Sequence, residues 1–75
     1  MKSVEKELVD IGKRLVKLRK DKGYSSYESF AIEHDISRMQ YWRMETGKVN
    51  MTIKSLKKVL DIHQITFSDF FKMSV

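Results

Sequence analysis

The sequence contains no cysteine and no proline, and glycine occupies only three of its 75 positions. The absence of cysteine excludes disulfides and thiolate metal sites, and nothing indicates an oxidising compartment. No apolar run approaches the ~20 residues needed to cross a bilayer, and no apolar signal core follows the first residues. We therefore expect a cytoplasmic protein with no membrane partner.

The hydrophobic and charged fractions of the sequence are those of a globular chain. A hydrophobic fraction of 41% and a charged fraction of 33% are atypical of disordered chains. We expect one domain over residues 1–75. A chain of this size buries only ~60% of the surface that its unfolded state exposes. Its stability margin is therefore small, and a partner surface would add to it.

The net charge of +5 is unevenly distributed along the chain. Residues 36–58 contain six basic side chains and one acidic side chain, whereas residues 24–35 contain three acidic side chains and no lysine or arginine. Such asymmetry is typical of a surface that binds a polyanion. A solvated helical surface produces the same pattern, so charge alone does not decide between the two interpretations.

The spacing of apolar residues predicts an all-α fold, because no segment has the two-residue alternation of a strand. We predict five helices, over about 4–22, from 25–26 to 34–35, over about 38–46, about 53–62 and about 67–72. The apolar face of the first helix comprises Val4, Leu8, Ile11, Leu15 and Leu18. The buried face of the fourth comprises Ile53, Leu56, Val59 and Leu60.

Local signals mark the ends of these helices. Hydroxyl side chains that can cap a helix N-terminus are Ser3, Ser37, Thr52 and Thr66, together with either Ser25 or Ser26 for the second helix. Gly23 and Gly47 fit the left-handed positions that end the first and third helices. Gly12 lets a neighbouring segment approach the first helix closely.

Residues 27–46 have the residue types that a helix-turn-helix requires. Two short helices that cross at ~90–120° need a small residue at the crossing, and Ala31 supplies it. The sharp turn needs a residue that tolerates positive φ, followed by an apolar plug, and Asp35 and Ile36 follow in that order. Tyr41 and Met44 then provide inward apolar residues on the next helix.

Several motifs in order resemble one known family. They are Leu15-x-x-Leu18-Arg19-x-x-x-Gly23, Ser26-x-x-x-Phe30-Ala31, Ile36-Ser37-Arg38, Tyr41-x-x-Met44-Glu45-x-Gly47, Thr52-x-x-x-Leu56 and Ile65-Thr66-Phe67-x-x-Phe70-Phe71. The sequence resembles the Cro/repressor-like (XRE-type) helix-turn-helix family over about 11–71. The resemblance implies a lambda-repressor-like DNA-binding domain. The chain departs from the family pattern at Tyr27, Asp35, His63 and Gln64.

The resemblance also implies site residues and a partner. The helix over about 38–46 would enter the major groove of double-stranded DNA as part of a sequence-specific transcriptional regulator. The implied base-reading residues are Arg38, Met39, Gln40 and Arg43. The phosphate-contacting candidates are Ser26, Tyr27, Ser37, Thr46, Lys48, Thr52, Lys54 and Lys57. Arg19 and Glu45 would form a partly buried ion pair. A homodimer patch would comprise Phe67, Phe70, Phe71 and Val75. The alternative, at least for Phe67 and Phe70, is core packing against the first helix.

Other functions are weighed against this one. His34 and His63 have no chelating or catalytic partner at a suitable spacing, and no nucleophile or phosphate-loop motif is present, so we expect neither an enzyme nor a cofactor. An alternative is a protein-interaction module or antitoxin-like protein that uses Trp42 and the phenylalanine-rich C-terminus to bind a protein partner. A further alternative is non-specific nucleic-acid binding.

Overall fold

The computed structural model describes residues 4–74, and over that range the chain forms five α-helices and no strand. They are α1 (Glu5–Asp21), α2 (Tyr27–Glu33), α3 (Arg38–Thr46), α4 (Ile53–Ile62) and α5 (Phe67–Lys72). This confirms the predicted all-α fold. None of the described helices has both the length and the apolar character required to cross a membrane.

Short-range hydrogen bonds begin four of the helices as predicted. The hydroxyl of Ser26, not that of Ser25, accepts the backbone N–H of Ser29 at 3.1 Å and caps α2. Corresponding bonds cap the other three helices, with Ser37 on α3, Thr52 on α4 and Thr66 on α5. Val4 occupies the N-cap position of α1 and makes no side-chain cap. The predicted cap Ser3 lies outside the described residues.

Four of the helices end in the same backbone motif. A residue with positive φ follows the last turn, namely Gly23 at 101°, Asp35 at 57°, Gly47 at 73° and Gln64 at 55°. The next residue then donates its N–H to a carbonyl oxygen five positions earlier, which is the Schellman arrangement. These bonds run from Tyr24 to Arg19, from Ile36 to Ala31, from Lys48 to Arg43 and from Ile65 to Leu60. The chain thus turns sharply after α1, α2, α3 and α4.

Every helix contributes to one hydrophobic core. Its buried members are Leu15 of α1, Phe30 and Ala31 of α2, Tyr41 and Met44 of α3, Leu56, Val59 and Leu60 of α4, and Phe70 of α5. The prediction that Ile53 would be buried was wrong, because this side chain is 69% exposed, and Val4 on the predicted apolar face of the first helix is 51% exposed. Both stand at the very start of a helix, where the apolar periodicity continues beyond the packed region.

Close packing of α1 against α3 fixes the position of α3. A Cβ atom placed on Gly12 would overlap the backbone carbonyl of Glu45 and lie 3.0 Å from the carbonyl oxygen of Met44. Glycine is therefore required at this crossing, because only a residue without a Cβ atom lets the two backbones approach this closely. The last turn of α3 is held directly against the middle of α1.

Candidate nucleic-acid interface

The turn between α2 and α3 has the geometry of a helix-turn-helix. Ala31 is fully buried where the two helices pack together. Asp35 adopts a φ of 57°, and the N–H of Ile36 donates to the carbonyl of Ala31 at 2.8 Å. Ile36 packs against the core, and Ser37 caps α3 immediately afterwards. The left-handed turn is therefore formed by aspartate where the resembled family has glycine.

The third helix has one buried face and one exposed face. Tyr41 and Met44 are 0% and 2% exposed, which fixes the rotation of α3 about its axis. The predicted base-reading side chains all lie on the exposed surface of the helix; they are Arg38, Met39, Gln40 and Arg43. Met39 is 58% exposed although it is apolar. An exposed methionine between polar neighbours is available for contact with a partner.

The predicted phosphate-contacting hydroxyls differ in the hydrogen bonds that they already make within the protein. Ser37 accepts the N–H of Gln40 at 3.4 Å, which leaves its own O–H free to donate. Thr46 instead donates its hydroxyl to the carbonyl of Trp42 at 2.9 Å, within α3. The hydroxyls of Ser26 and Thr52 contact the hydroxyls of Ser29 at 2.9 Å and Ser55 at 3.0 Å, respectively. Among these hydroxyls, Ser37 is the donor best placed to bind an anion.

The predicted phosphate-contacting lysines also fall into two groups. Lys57 pairs with Asp61 at 3.0 Å, one turn later on α4. Lys48 and Lys54 are exposed and make no ion pair within residues 4–74. Tyr27 is half-buried and packs against the core. Lys48 and Lys54 therefore carry the least compensated charge among the predicted phosphate contacts.

A buried ion pair connects α1 with α3. Nε of Arg19 donates to Oε2 of Glu45 at 2.7 Å, and Nη2 donates to Oε1 at 3.1 Å. Nη1 of Arg19 donates to the carbonyl of Tyr24 at 3.0 Å. The two paired side chains are only 7% and 6% exposed. Burial raises the pKa of the neighbouring Tyr41, and the Glu45 carboxylate raises that pKa further.

Trp42 lies on the side of α3 that faces the start of α2. It is half-buried and lines a cleft of about 410 Å³ with Tyr27, Glu28, Arg38 and Met39. The cleft joins the first turn of α2 to the first turns of α3. The sequence shows that Arg38 and Trp42 are one helical turn apart and therefore share a side of α3. It does not show that Glu28 of α2 lies beside them.

The C-terminal phenylalanines do not form one exposed patch. Phe70 is fully buried, so its assignment to a dimer surface is corrected: it fills the core beneath α5. Phe67 is half-buried, Phe71 is 48% exposed, and Val75 lies outside the described residues. The guanidinium carbon of Arg14 lies 5.9 Å from the ring centroid of Phe71.

Both histidines pack beside Phe30 in the core. The ring of His63 stacks on it at 5.2 Å with an interplanar angle of 4°, and the ring of His34 lies 4.6 Å away. Nε2 of each histidine is buried without a hydrogen-bond partner. Burial and the positive charges of Lys22 and His34 lower the pKa of His63 to about 4. No group of three metal-ligating side chains occurs within residues 4–74.

Together, the fold and the α2–α3 geometry define a small all-α helix-turn-helix protein. Over 63 residues the chain is 40% identical to the control protein C.MunI of Mycoplasma sp, covering 84% of this chain and 85% of that protein. It is also 39% identical over 49 residues to the plasmid copy control protein CopR of Streptococcus agalactiae, covering 65% of this chain and 53% of that protein.

The chain belongs to the same protein family as control protein C.MunI, since the similarity extends over most of both sequences. Both relatives carry the names of control proteins. This membership is consistent with the Cro/repressor-like resemblance described above. No protein-family model matches the chain, and no solved structure matches it.

Proposed function

We propose that this protein is a sequence-specific DNA-binding transcriptional regulator that inserts α3 into the major groove as a homodimer. The observation that carries the proposal is the division of α3 into two faces. Tyr41 and Met44 anchor one face in the core, while the other presents Arg38, Met39, Gln40 and Arg43 to solvent. The regulatory names of the two relatives support the same class of function.

The chemistry of the exposed face fits base edges in the major groove. The groove is ~12 Å wide and accommodates an α-helix. Arg38 and Arg43 can each donate two hydrogen bonds to a guanine, and Gln40 can pair with an adenine. Met39 can contact a thymine methyl group. Each bidentate pair contributes ~1–3 kcal/mol of discrimination between bases.

Residues beside α3 would hold the DNA backbone. Ser37 has a free O–H, Lys48 carries an exposed positive charge just after α3, and Lys54 carries one in the first turn of α4. Backbone contacts of this kind fix the register of the protein on the duplex without reading its sequence. They also make the affinity fall as salt rises, because each neutralised phosphate releases counterions.

The homodimer rests on the exposed apolar surface of α5. Phe71 projects 48% of its surface to solvent and Phe67 is half-buried, so a second copy can cover both. A two-fold dimer would place its two copies of α3 in successive major grooves, with half-sites ~34–36 Å apart. The bound DNA is therefore expected to contain an inverted repeat.

Selection of duplexes from a randomised library tests the proposal. At two salt concentrations, we expect the wild-type protein to enrich an inverted repeat. Arg38→Ala should relax the preference at one position of each half-site, because it removes up to ~3 kcal/mol of discrimination there. Lys54→Ala is the matched control, and it should weaken binding uniformly and reduce the salt dependence.

Two outcomes would contradict the proposal. If the wild-type protein binds every duplex equally, with a steep salt dependence, its binding is non-specific. If it binds no duplex even at low salt, α3 does not bind DNA, and a protein partner becomes the next target to test. A single half-site instead of an inverted repeat would contradict only the homodimer.

A further inference from the structure

The cleft beside α3 includes two large apolar side chains that are not part of the core. Trp42 is the single tryptophan of the chain, and it is neither a buried core member nor packed against the core cluster. Met39 is 58% exposed on the same side of α3. With Tyr27 they give the cleft a largely apolar, aromatic wall. A wall of this kind is suited to the carbon atoms of a flat or ring-shaped ligand.

The position of the cleft relative to α3 indicates which part of DNA would reach it. Trp42 lies one turn after Arg38, on the side of α3 that faces α2. An α-helix with its side chains is ~10–12 Å across and fills a major groove of ~12 Å. Side chains at the tip of the helix then meet bases, while side chains on its flank meet the groove wall. That wall is the sugar–phosphate backbone.

We propose that this cleft holds one deoxyribose–phosphate unit of the bound DNA, and that Trp42 is a positioning residue that packs against the sugar. This inference rests on the proposed function and extends it to a side chain outside the predicted site. The indole ring contacts the carbon atoms of the deoxyribose, and the hydroxyl of Tyr27 donates to the adjoining phosphate. Because every nucleotide has the same sugar, the contact positions α3 without reading sequence.

Glu28 gives the inference a second testable consequence, because its negative charge would repel the phosphate expected in the cleft. It lines the same cleft and makes no ion pair within residues 4–74. A carboxylate beside a phosphate repels it, and the repulsion grows as salt is lowered. Glu28→Gln is therefore expected to strengthen binding to all duplexes, with the largest gain at low salt.

The test uses the emission of Trp42, which reports directly on the cleft since the protein has no other tryptophan. A short random-sequence duplex is titrated at low salt, and a labelled copy of the duplex measures the affinity independently. We expect Trp42 emission to change in step with binding. Trp42→Ala should weaken binding about tenfold, because it removes the apolar surface that packs against the sugar. Trp42→Phe should recover most of that loss.

Controls separate the cleft from the rest of the interface. Ile32→Ala removes an apolar side chain that is 65% exposed on α2 but lies outside the cleft, and it should leave the affinity unchanged. Thermal melting of each variant confirms that it is folded. Affinities are then compared between a duplex selected from the library and duplexes with single base changes. Trp42→Ala should lower all of these affinities without changing base preference, whereas Arg38→Ala changes that preference.

The outcomes distinguish this inference from the proposed function. If the duplex binds while Trp42 emission and the affinity of Trp42→Ala stay unchanged, the cleft is not a backbone site, although α3 still binds DNA. A change of base preference in Trp42→Ala would also overturn the inference, since the side chain would then contact a base. If the wild-type protein binds no duplex, the proposed function and this inference fail together.

Discussion

Replacement of Glu45 by alanine is expected to lower the free energy of unfolding by about 3–5 kcal/mol, because the change leaves the Arg19 guanidinium buried without its carboxylate. Two hydrogen bonds of 2.7 and 3.1 Å join the side chains, and both residues are less than a tenth exposed. A domain of this size has a stability of only about 4–11 kcal/mol. The expected loss is thus a large part of the total.

Thermal melting measures this effect, with a fall of well over ~10 °C expected for Glu45→Ala. Glu45→Gln is the conservative comparison and should retain part of the stability. The double variant Arg19→Met/Glu45→Leu should be more stable than Glu45→Ala, because it leaves no buried charge. An unchanged melting temperature in Glu45→Ala would show that the ion pair does not support the fold.

The same pair has a functional consequence. Glu45 belongs to the last turn of α3, and its backbone carbonyl lies against Gly12 of α1. The ion pair and this backbone contact therefore both hold the last turn of α3 against α1, and together they fix the orientation of α3. We expect Glu45→Ala to weaken DNA binding as well, since the exposed face of α3 is no longer presented by a rigid support.

Acid is expected to destabilise the protein through His63. Burial, with smaller effects of the nearby Lys22 and His34, lowers the pKa of this imidazole from 6.5 to about 4 in the folded state. The unfolded chain therefore takes up a proton near pH 6.5, while the folded protein resists protonation until about pH 4. The stability contributed by neutral His63 is therefore complete above pH 6.5 and is lost as the pH falls from 6.5 to about 4.

Urea unfolding of the wild type and of His63→Leu at a series of pH values checks this prediction. Leucine fills the place beside Phe30 without a titrating group, and it also removes the unpaired Nε2 atom. We expect the difference in stability between the two proteins to shift in favour of leucine as the pH falls from 7 to 4. Parallel pH profiles would show that His63 is not held neutral by its surroundings.

The helix ends were predictable because short-range chemistry determines them. Ser37, Thr52 and Thr66 cap helices in the structure as their positions in the sequence predicted. Asp35 adopts the positive φ that the turn required. The choice between Ser25 and Ser26 stayed open at the sequence level, since both residues precede α2 and differ by one position.

Burial was less predictable because it depends on residues that are distant in sequence. Helical spacing assigned Val4 to an apolar face and Ile53 to a buried one, but periodicity does not show how far the neighbouring helix extends. Composition likewise did not separate Phe70, which fills the core, from Phe71, which is exposed. The place of Trp42 next to Glu28 follows from how α2 packs on α3, and neither local spacing nor charge contains that information.

Methylation of guanine N7 by dimethyl sulfate tests the central claim most directly, because N7 lies on the floor of the major groove. The duplex is one selected from the randomised library, probed with the wild-type protein and with Arg38→Ala. The account predicts protection of guanines in each half-site by the wild type, and loss of protection at one of them in Arg38→Ala. Protection confined to adenine N3 in the minor groove, or an identical pattern for both proteins, would contradict the insertion of α3 into the major groove.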